Sequence, residues 1–421
     1  MKIKVRPEDF IVREQSAVTL RRSPDHFLVF RLRKSEWDTF DLLDLLARRL
    51  GVPKSDISVG GIKDRFGQTE QLVSVRSPGG DRSVRWEDRL QDRFQDRSRD
   101  RNFALEFAGY SPEPITARSI RGNRFTITLR DLDPKLIPQY RRRAEGIQRC
   151  GVPNYYDEQR FGSARHGKGF MGKELFLGRR KQALRLYFEP SRHDDRKTRL
   201  LKTCVSQAWG HWDQCLPLAF GEYRTVLGYL KDHPGAYRQA LIRIDRRYLV
   251  FVLNAYQSYL FNEVLTGRLA ELAVAHGLGM NHYTYRWGTF LFYEQLPAAL
   301  FKSLTRTNLP VPGYDSDLGD AESRRVVERV LEREGIVLAD LRVRQLPRIS
   351  VHGIERPMLL LPEDFSLSDP VEDELYNGKK KMIVEFGLQR GGYATLVVKC
   401  LSAAGGLPDR LVPPVRPSPG P

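Results

Sequence analysis

Short alternating apolar runs mark the two ends of this chain, and helical spacing marks its middle. Phe27-Leu28-Val29-Phe30-Arg31-Leu32 predicts a strand, as do Leu72-Val73-Ser74-Val75 and the clean alternation Phe125-Thr126-Ile127-Thr128-Leu129-Arg130. Between them, Thr39 to Leu50 carries Leu42, Leu43, Leu45, Leu46 and Leu50 at helical spacing. Thr39 is its expected N-cap and Gly51 its terminator. Asn254 to His276 predicts a longer helix with Tyr256, Leu260, Val264, Leu269 and Leu272 on one face and Gly277 to stop it. Asp320 to Glu334 predicts another. From residue 346 strand-like text returns at Met358-Leu359-Leu360-Leu361, Met382 to Phe386, and Tyr393-Ala394-Thr395-Leu396-Val397-Val398.

Asp81 to Arg101 is a mixed-charge segment with seven Arg against six acids. Arg85, Arg89, Arg93 and Arg97 recur every four residues, as do Asp88, Asp92, Asp96 and Asp100, and Trp86, Leu90 and Phe94 form a third row. A helix with a narrow apolar stripe and self-paired ionic faces explains all three rows. The tail from Ala403 is rich in Gly and Pro and is expected to be disordered. No internal repeat is evident. Two β-rich ends around a helical middle predict a discontinuous domain, 1–153 with 346–402, interrupted by an insertion over 154–345.

The 421 residues exceed one ordinary domain, and a hydrophobic share of 41% supports real cores. A net charge of +17 favours a polyanionic partner, since phosphates neutralised by Lys and Arg release counterions. Cys150, Cys204, Cys215 and Cys400 are scattered, with no paired spacing for a zinc ribbon or a disulfide framework, so a reducing cytoplasm is expected. The N-terminal residues lack the apolar core of a signal peptide, and runs such as Tyr248 to Leu253 fall short of a membrane span.

Candidate chemistry centres on Gly60-Gly61-Ile62-Lys63-Asp64-Arg65-Phe66-Gly67, a glycine-bracketed loop that places Asp64 between two cations. Nearby positive charge favours the carboxylate form, and an ionised Asp presented on a loop is a usable nucleophile. Such pairs in glycine loops are more often solvated turns, so spacing alone assigns no role. Gly167-Lys168-Gly169-Phe170-Met171-Gly172-Lys173 matches both GxGxxG and GxxxxGK, yet Glu174 stands where a phosphate loop needs Ser or Thr and no apolar strand precedes it. A basic surface loop is the expectation there. His193-Asp194-Asp195 reads as solvated rather than metal-binding, and no Ser-His-Asp set can be argued from spacing. Asn123, before a strand, is either a turn residue or a base-edge reader beside Phe125. For Phe10 and Phe125, core packing is the default.

Taken in order, these pieces resemble the TruD family of tRNA pseudouridine synthases. The matching text is Lys4-x-x-Pro7-Glu8-Asp9-Phe10-x-Val12-x-Glu14, Lys34 with Thr39, and Gly61-x-Lys63-Asp64-Arg65-x-x-Gln68-Thr69-x-Gln71. It continues through Gly122-Asn123-Arg124-Phe125, Gly151 to Tyr156, Gln159-Arg160-Phe161-Gly162, Gln257-Ser258-x-Leu260-Phe261-Asn262 and Gly392-Tyr393-Ala394-Thr395. The resemblance implies an α+β fold: a pseudouridine synthase catalytic domain, a mixed β-sheet flanked by helices, interrupted by a TruD-specific α/β insertion domain. It implies isomerisation of uridine to pseudouridine at tRNA position 13, with Asp64 as nucleophile on a flipped-out uridine. It implies that Lys4 pairs with that carboxylate and that Phe10, Asn123 and Phe125 line the uridine pocket, with Lys63 and Arg65 beside them on the loop.

Such chemistry needs no metal, nucleotide or other cofactor; tRNA is the expected partner, met by a monomer with no membrane attachment. Departures from the family pattern fall at Leu388-Gln389-Arg390-Gly391-Gly392, at Lys399-Cys400, and at Lys34-Ser35-Glu36-Trp37-Asp38-Thr39, where a Gly or Asn turn is usual. A catalytically idle RNA-binding protein is the competing expectation, and a phosphate-loop NTPase a distant third.

Overall fold

In the computed structural model, which describes residues 1–77, 95–97 (backbone only), 102–343, 346 and 349–406, the alternating runs pair into one mixed sheet. Its strands include β1 (Phe10–Ser16), β2 (Phe27–Ser35), β3 (Ile57–Val59), β4 (Gln68–Arg76), β5 (Gln95–Arg97), β6 (Asn102–Ser111) and β7 (Ile120–Leu132). The order runs Glu363–Leu367, Lys380–Gln389, β7, β1, β4, β2, β6, β5, with β3 paired on β4. β1 and β4 are parallel, with Val12 opposite Thr69; β7 is antiparallel to β1, with Val12 opposite Phe125 and Glu14 opposite Asn123. Because side chains alternate along a strand, this register puts Phe10, Val12, Glu14, Asn123, Phe125, Thr69, Gln71 and Lys34 on one face.

Helix α1 (Thr39–Leu50) covers part of that face, packing Leu42, Leu43 and Leu46 against Leu28, Phe30, Leu32, Val73 and Val75. Its N-cap is Asp38, which accepts from the Phe40 amide at 2.8 Å, rather than Thr39. Gly51 ends it in the left-handed region, φ +67°. The turn before it keeps a left-handed residue where Gly or Asn is usual: Glu36 has φ +61°.

Three expectations give way to pairing and packing. Gln95–Arg97, inside the expected Asp81–Arg101 helix, are strand, because the open edge of β6 offers its backbone groups to the chain just before it. The rest of that segment, 81–94 and 98–101, lies outside the described residues. Tyr393–Val398 is not a strand; Ala394–Ser402 is a helix, because Ala394, Val397, Val398 and Leu401 recur at helical spacing and are all buried. Tertiary burial overrides the β-propensity of the two valines. The tail is ordered at its start, where Ala404–Gly405 pairs with the strand Met280–Tyr285; residues 407–421 lie outside the description.

By its contacts the chain divides into two units, Met1–Gly151 with Leu360–Ser402, and Val152–Leu359 with the residues from Ala403. The crossings at 151/152 and 359/360 differ from the 153/154 and 345/346 read from the pattern, since Ile354–Pro357 pairs with Asn308–Val311. The second unit is built on the helix Arg246–His276, 31 residues, capped by Asp245. It begins earlier than predicted by absorbing the apolar run Tyr248 to Leu253. Buried polar side chains on this helix satisfy loop backbone: Asn262 exchanges two 2.8 Å bonds with the main chain of Tyr156, and Gln257 donates to the carbonyls of Pro312 and His352. No helix among the described residues is long and apolar enough to cross a membrane.

The first unit is tied together by a buried guanidinium. Arg130 donates from Nε to both Asp9 oxygens at 2.8 and 2.9 Å and from Nη1 to Asp373 at 3.0 Å. Asp9 also accepts from the Arg6 amide, so the segment leading into β1 is fixed against β7. Removing one member of a buried, fully bonded ion network strands the others. Arg130→Met is expected to cost about 3–5 kcal/mol, read as a lowered midpoint in urea unfolding. Glu36→Asn is expected to act in the opposite direction, raising stability by about 1 kcal/mol, because Asn tolerates the left-handed region better.

Candidate active site

The loop between β3 and β4 is held by side chains from the sheet below it. Lys34, projecting from β2, donates its ammonium to the carbonyls of Asp64 (2.8 Å), Trp37 (2.9 Å) and Lys63 (3.3 Å). The Thr39 hydroxyl, freed from capping, bonds both the amide and the carbonyl of Lys63. Gln71 donates to the Gly61 carbonyl at 3.2 Å. At Gly67 an added Cβ would lie 2.6 Å from the Phe10 carbonyl, so only glycine allows the loop to sit this close to β1.

The cations around Asp64 are not arranged as the loop sequence suggests. Lys63 turns away from the carboxylate into the sheet. Its Nζ lies 2.7 Å from Glu14 Oε2 and donates to Asn123 Oδ1 at 2.8 Å. The contact to Glu14 lacks hydrogen-bond alignment, so it is a Coulombic pairing, and the directed bond is the one to Asn123. Arg65 is exposed, with its guanidinium 5.6 Å from the Phe66 ring centroid. The cation beside Asp64 is Lys4, whose Nζ lies 3.4 Å from Oδ2. Lys4 has φ +57°, a left-handed conformation for a residue with a side chain, and its ammonium also sits 4.0 Å above the Phe10 ring. The Asp64 side chain is 35% exposed, open to solvent on one side.

Phe10 and Phe125 pack edge to face at 6.3 Å, and Phe125 continues onto Phe386. They are 2% and 8% exposed, a floor for the site rather than open faces. Thus Lys4, Phe10 and Asp64 come together directly, Asn123 and Phe125 join through Lys63 and the β1–β7 register, and Arg65 stands at the rim. Lys34 and Glu14 stand outside the expected set. Both lie in text that carries the family resemblance, yet only the pairing of β1, β2 and β4 brings them beneath the loop. Burial pushes the Lys34 ammonium down to about 8, against the opposing pull of the Asp64 and Asp38 carboxylates.

Other candidates resolve differently. Two clefts of about 490 and 530 Å³ open on the first unit, neither with Asp64 in its lining; the larger reaches Gly122, next to Asn123. In the GxxxxGK stretch, Phe170, Met171 and Gly172 are buried, and an added Cβ at Gly172 would lie 2.4 Å from the Val252 carbonyl. Lys173 pairs with Glu334 at 2.8 Å, so the second half of the stretch is a helix-packing contact, while Gly167 and Lys168 are exposed in the turn before it. Asp195 caps the helix Arg196–Gln207 and Asp194 bonds Lys202. Among the described residues no group of three His, Cys, Asp or Glu could hold a metal ion. Ser350, His352 and Asp315 are joined in hydrolase order at 2.9 and 2.7 Å. The imidazole is 58% exposed and the carboxylate 42%, so water competes at every position, and the set serves as a clamp between two loops.

A model of the family described as tRNA pseudouridine synthase D (TruD) matches residues 1–401. The chain is 30% identical over 408 residues to a protein of Methanococcus maripaludis named probable tRNA pseudouridine synthase D 1, covering 95% of this chain and 98% of the relative. It is 27% identical to tRNA pseudouridine synthase D of Leptospira interrogans, covering 95% of each. A crystal structure from Methanosarcina mazei, described as that of the "Putative tRNA pseudouridine synthase D (TruD)", superposes with a TM-score of 0.71 at 24% identity, over 95% of this chain and 92% of that one, which bears on the fold alone. With a family model spanning nearly its whole length and the expected α+β architecture, this chain belongs to the tRNA pseudouridine synthase D (TruD) family.

Proposed function

We propose that this protein isomerises uridine to pseudouridine in tRNA, at position 13, with Asp64 as the nucleophile on an everted nucleoside. The first unit is the catalytic domain and the second the family's insertion domain. One observation supports the assignment above the rest: a single solvent-open carboxylate sits on an anchored loop with the Lys4 ammonium 3.4 Å away. The N1–C1′ bond of uridine breaks, the uracil turns, and C5 joins C1′, while C5 gives up its proton and N1 gains one. The sum is an isomerisation, with no electron leaving or entering.

Each neighbour has a part in this. Lys4 keeps a positive charge against the carboxylate as the site closes over RNA and water leaves. Lys63 holds Asn123 Oδ1, which leaves the Asn123 Nδ2 group to donate to a uracil carbonyl. Phe10 and Phe125 form an apolar floor that keeps water from the opened glycosidic carbon. The excess of Lys and Arg holds the RNA through its phosphates.

Asp64→Asn preserves shape and removes the nucleophile. Pseudouridine formation on a tRNA transcript is expected to fall by more than about 10³-fold while RNA affinity stays within about threefold. Equal product from both forms would refute Asp64 as nucleophile, and no product from either would leave an RNA-binding protein without this activity.

Lys34 adds a pH dependence whose two readouts move in opposite directions. As pH rises through about 8, the ammonium that pins the loop carbonyls is lost, so single-turnover rate is expected to fall there. Stability should instead rise between about 8 and 10.5, because the unfolded chain holds that proton longer than the folded one. Lys34→Gln should flatten both profiles, as followed by pH–rate measurements and urea midpoints.

A further inference from the structure

Among the described residues, the two most exposed large apolar side chains are Phe66 (64%) and Ile62 (63%). They lie two residues to either side of Asp64, on the loop whose backbone is held by Lys34, Thr39 and Gln71. An exposed aromatic on a mobile loop would mean little. Here the backbone is anchored at Gly61, Lys63 and Asp64 on one side of Phe66 and lies against the Phe10 carbonyl at Gly67 on the other, which limits where the ring is presented. The Arg65 guanidinium lies 5.6 Å from its ring centroid and supplies positive charge at the same point.

We infer that Phe66, assisted by Ile62, is a positioning residue that enters the base stack of the RNA where the reacting uridine leaves it. The inference rests on the proposed reaction at Asp64. Residues two apart are separated by at most about 7 Å along the chain, so a uridine within reach of Asp64 brings its neighbouring bases to both side chains. Everting a base costs unstacking, and an apolar wedge in the vacated place offsets that cost. The occupant is therefore a pair of nucleobases flanking the target, with Arg65 on the adjoining phosphate. A protein partner would have no reason to place apolar contacts symmetrically about a nucleophile beside Lys4 and Arg65.

The test uses the full chain and a tRNA transcript carrying 2-aminopurine next to the target uridine. Wild type, Phe66→Ala and Phe66→Trp are compared by single-turnover pseudouridine formation at saturating enzyme, by RNA Kd, and by the fluorescence rise on unstacking. Phe66→Ala is expected to slow the rate about 10- to 100-fold and to blunt the fluorescence change, with Kd shifted less than about threefold. Phe66→Trp, which keeps a flat apolar ring, should restore most of the rate. If Phe66→Ala matches an active wild type, or loses affinity without losing rate, the wedge is refuted while the reaction at Asp64 stands. If wild type forms no pseudouridine, the functional reading falls and the wedge with it. The side chain is exposed, so folding of each variant, checked by its urea midpoint, should match wild type.

Discussion

The buried pairing of Lys63 with Glu14, and through the same ammonium with Asn123, decides how the site is built. Lys63 and Asp64 are adjacent in sequence, and in an extended stretch their side chains leave on opposite sides. Drawing the ammonium down between β1 and β7 fixes which side remains for the carboxylate. An ion pair this deep is costly in desolvation and favours the fold only when its remaining bonds are made. Two of them are made, with Asn123 taking the directed bond at 2.8 Å and Glu14 Oε1 accepting from the Leu72 amide at 3.3 Å, while Glu14 Oε2 faces the ammonium through charge alone. The same arrangement leaves Asp64 to a lysine from the chain's start, 60 residues away in sequence, so the site exists only when the N-terminal segment is docked. That docking is the work of Arg130 and Asp9.

Much of the fold was legible because its cause is local. An apolar run marks Phe27–Ser35, alternation marks Ile120–Leu132, and Leu spacing with a left-handed Gly51 marks α1. What escaped depends on partners distant in sequence. Val397 and Val398 favour strand until the helix that buries them is known, and Gln95–Arg97 favours helix until β6 offers an open edge. Thr39 looked like a cap because it stands at the helix start, but Asp38 serves there and Thr39 holds the loop. Within the site, Asp64 was visible from its glycine frame and Lys4 only from family resemblance. Lys34 and Glu14 could not be placed from spacing, because a parallel β1–β4 pair leaves no mark in the text between them.

The family-matching text of the second unit has a different physical meaning. Asn262 with Tyr156, and Arg356 with the carbonyls of Asn154 and Tyr155, satisfy backbone groups in buried turns. A buried amide or guanidinium that bonds main chain at both ends specifies one loop conformation, since any other leaves polar atoms unpaired. The Gly172 contact is similar in kind, a position set by the approach of the long helix. Motif strength in such blocks reports constraint on shape, whereas the reaction proposed above draws on the few side chains around Asp64.

The Lys34 ammonium shows what that confinement costs. It is buried, donates to three carbonyls, and has no directed bond to a carboxylate, so its charge is carried by dipoles and by Asp64 and Asp38 at longer range. A neutral side chain could fill the same space at less cost in desolvation. Only a three-donor cation, however, can grip the carbonyls on both sides of the Asp64 side chain and also hold positive potential beneath it. For the reaction proposed at Asp64, in which one carboxylate meets one atom of an everted nucleoside, placement to within about 0.5 Å is a gain. The loop is therefore anchored from below by a group that the fold itself disfavours, and the stability lost there is returned as position.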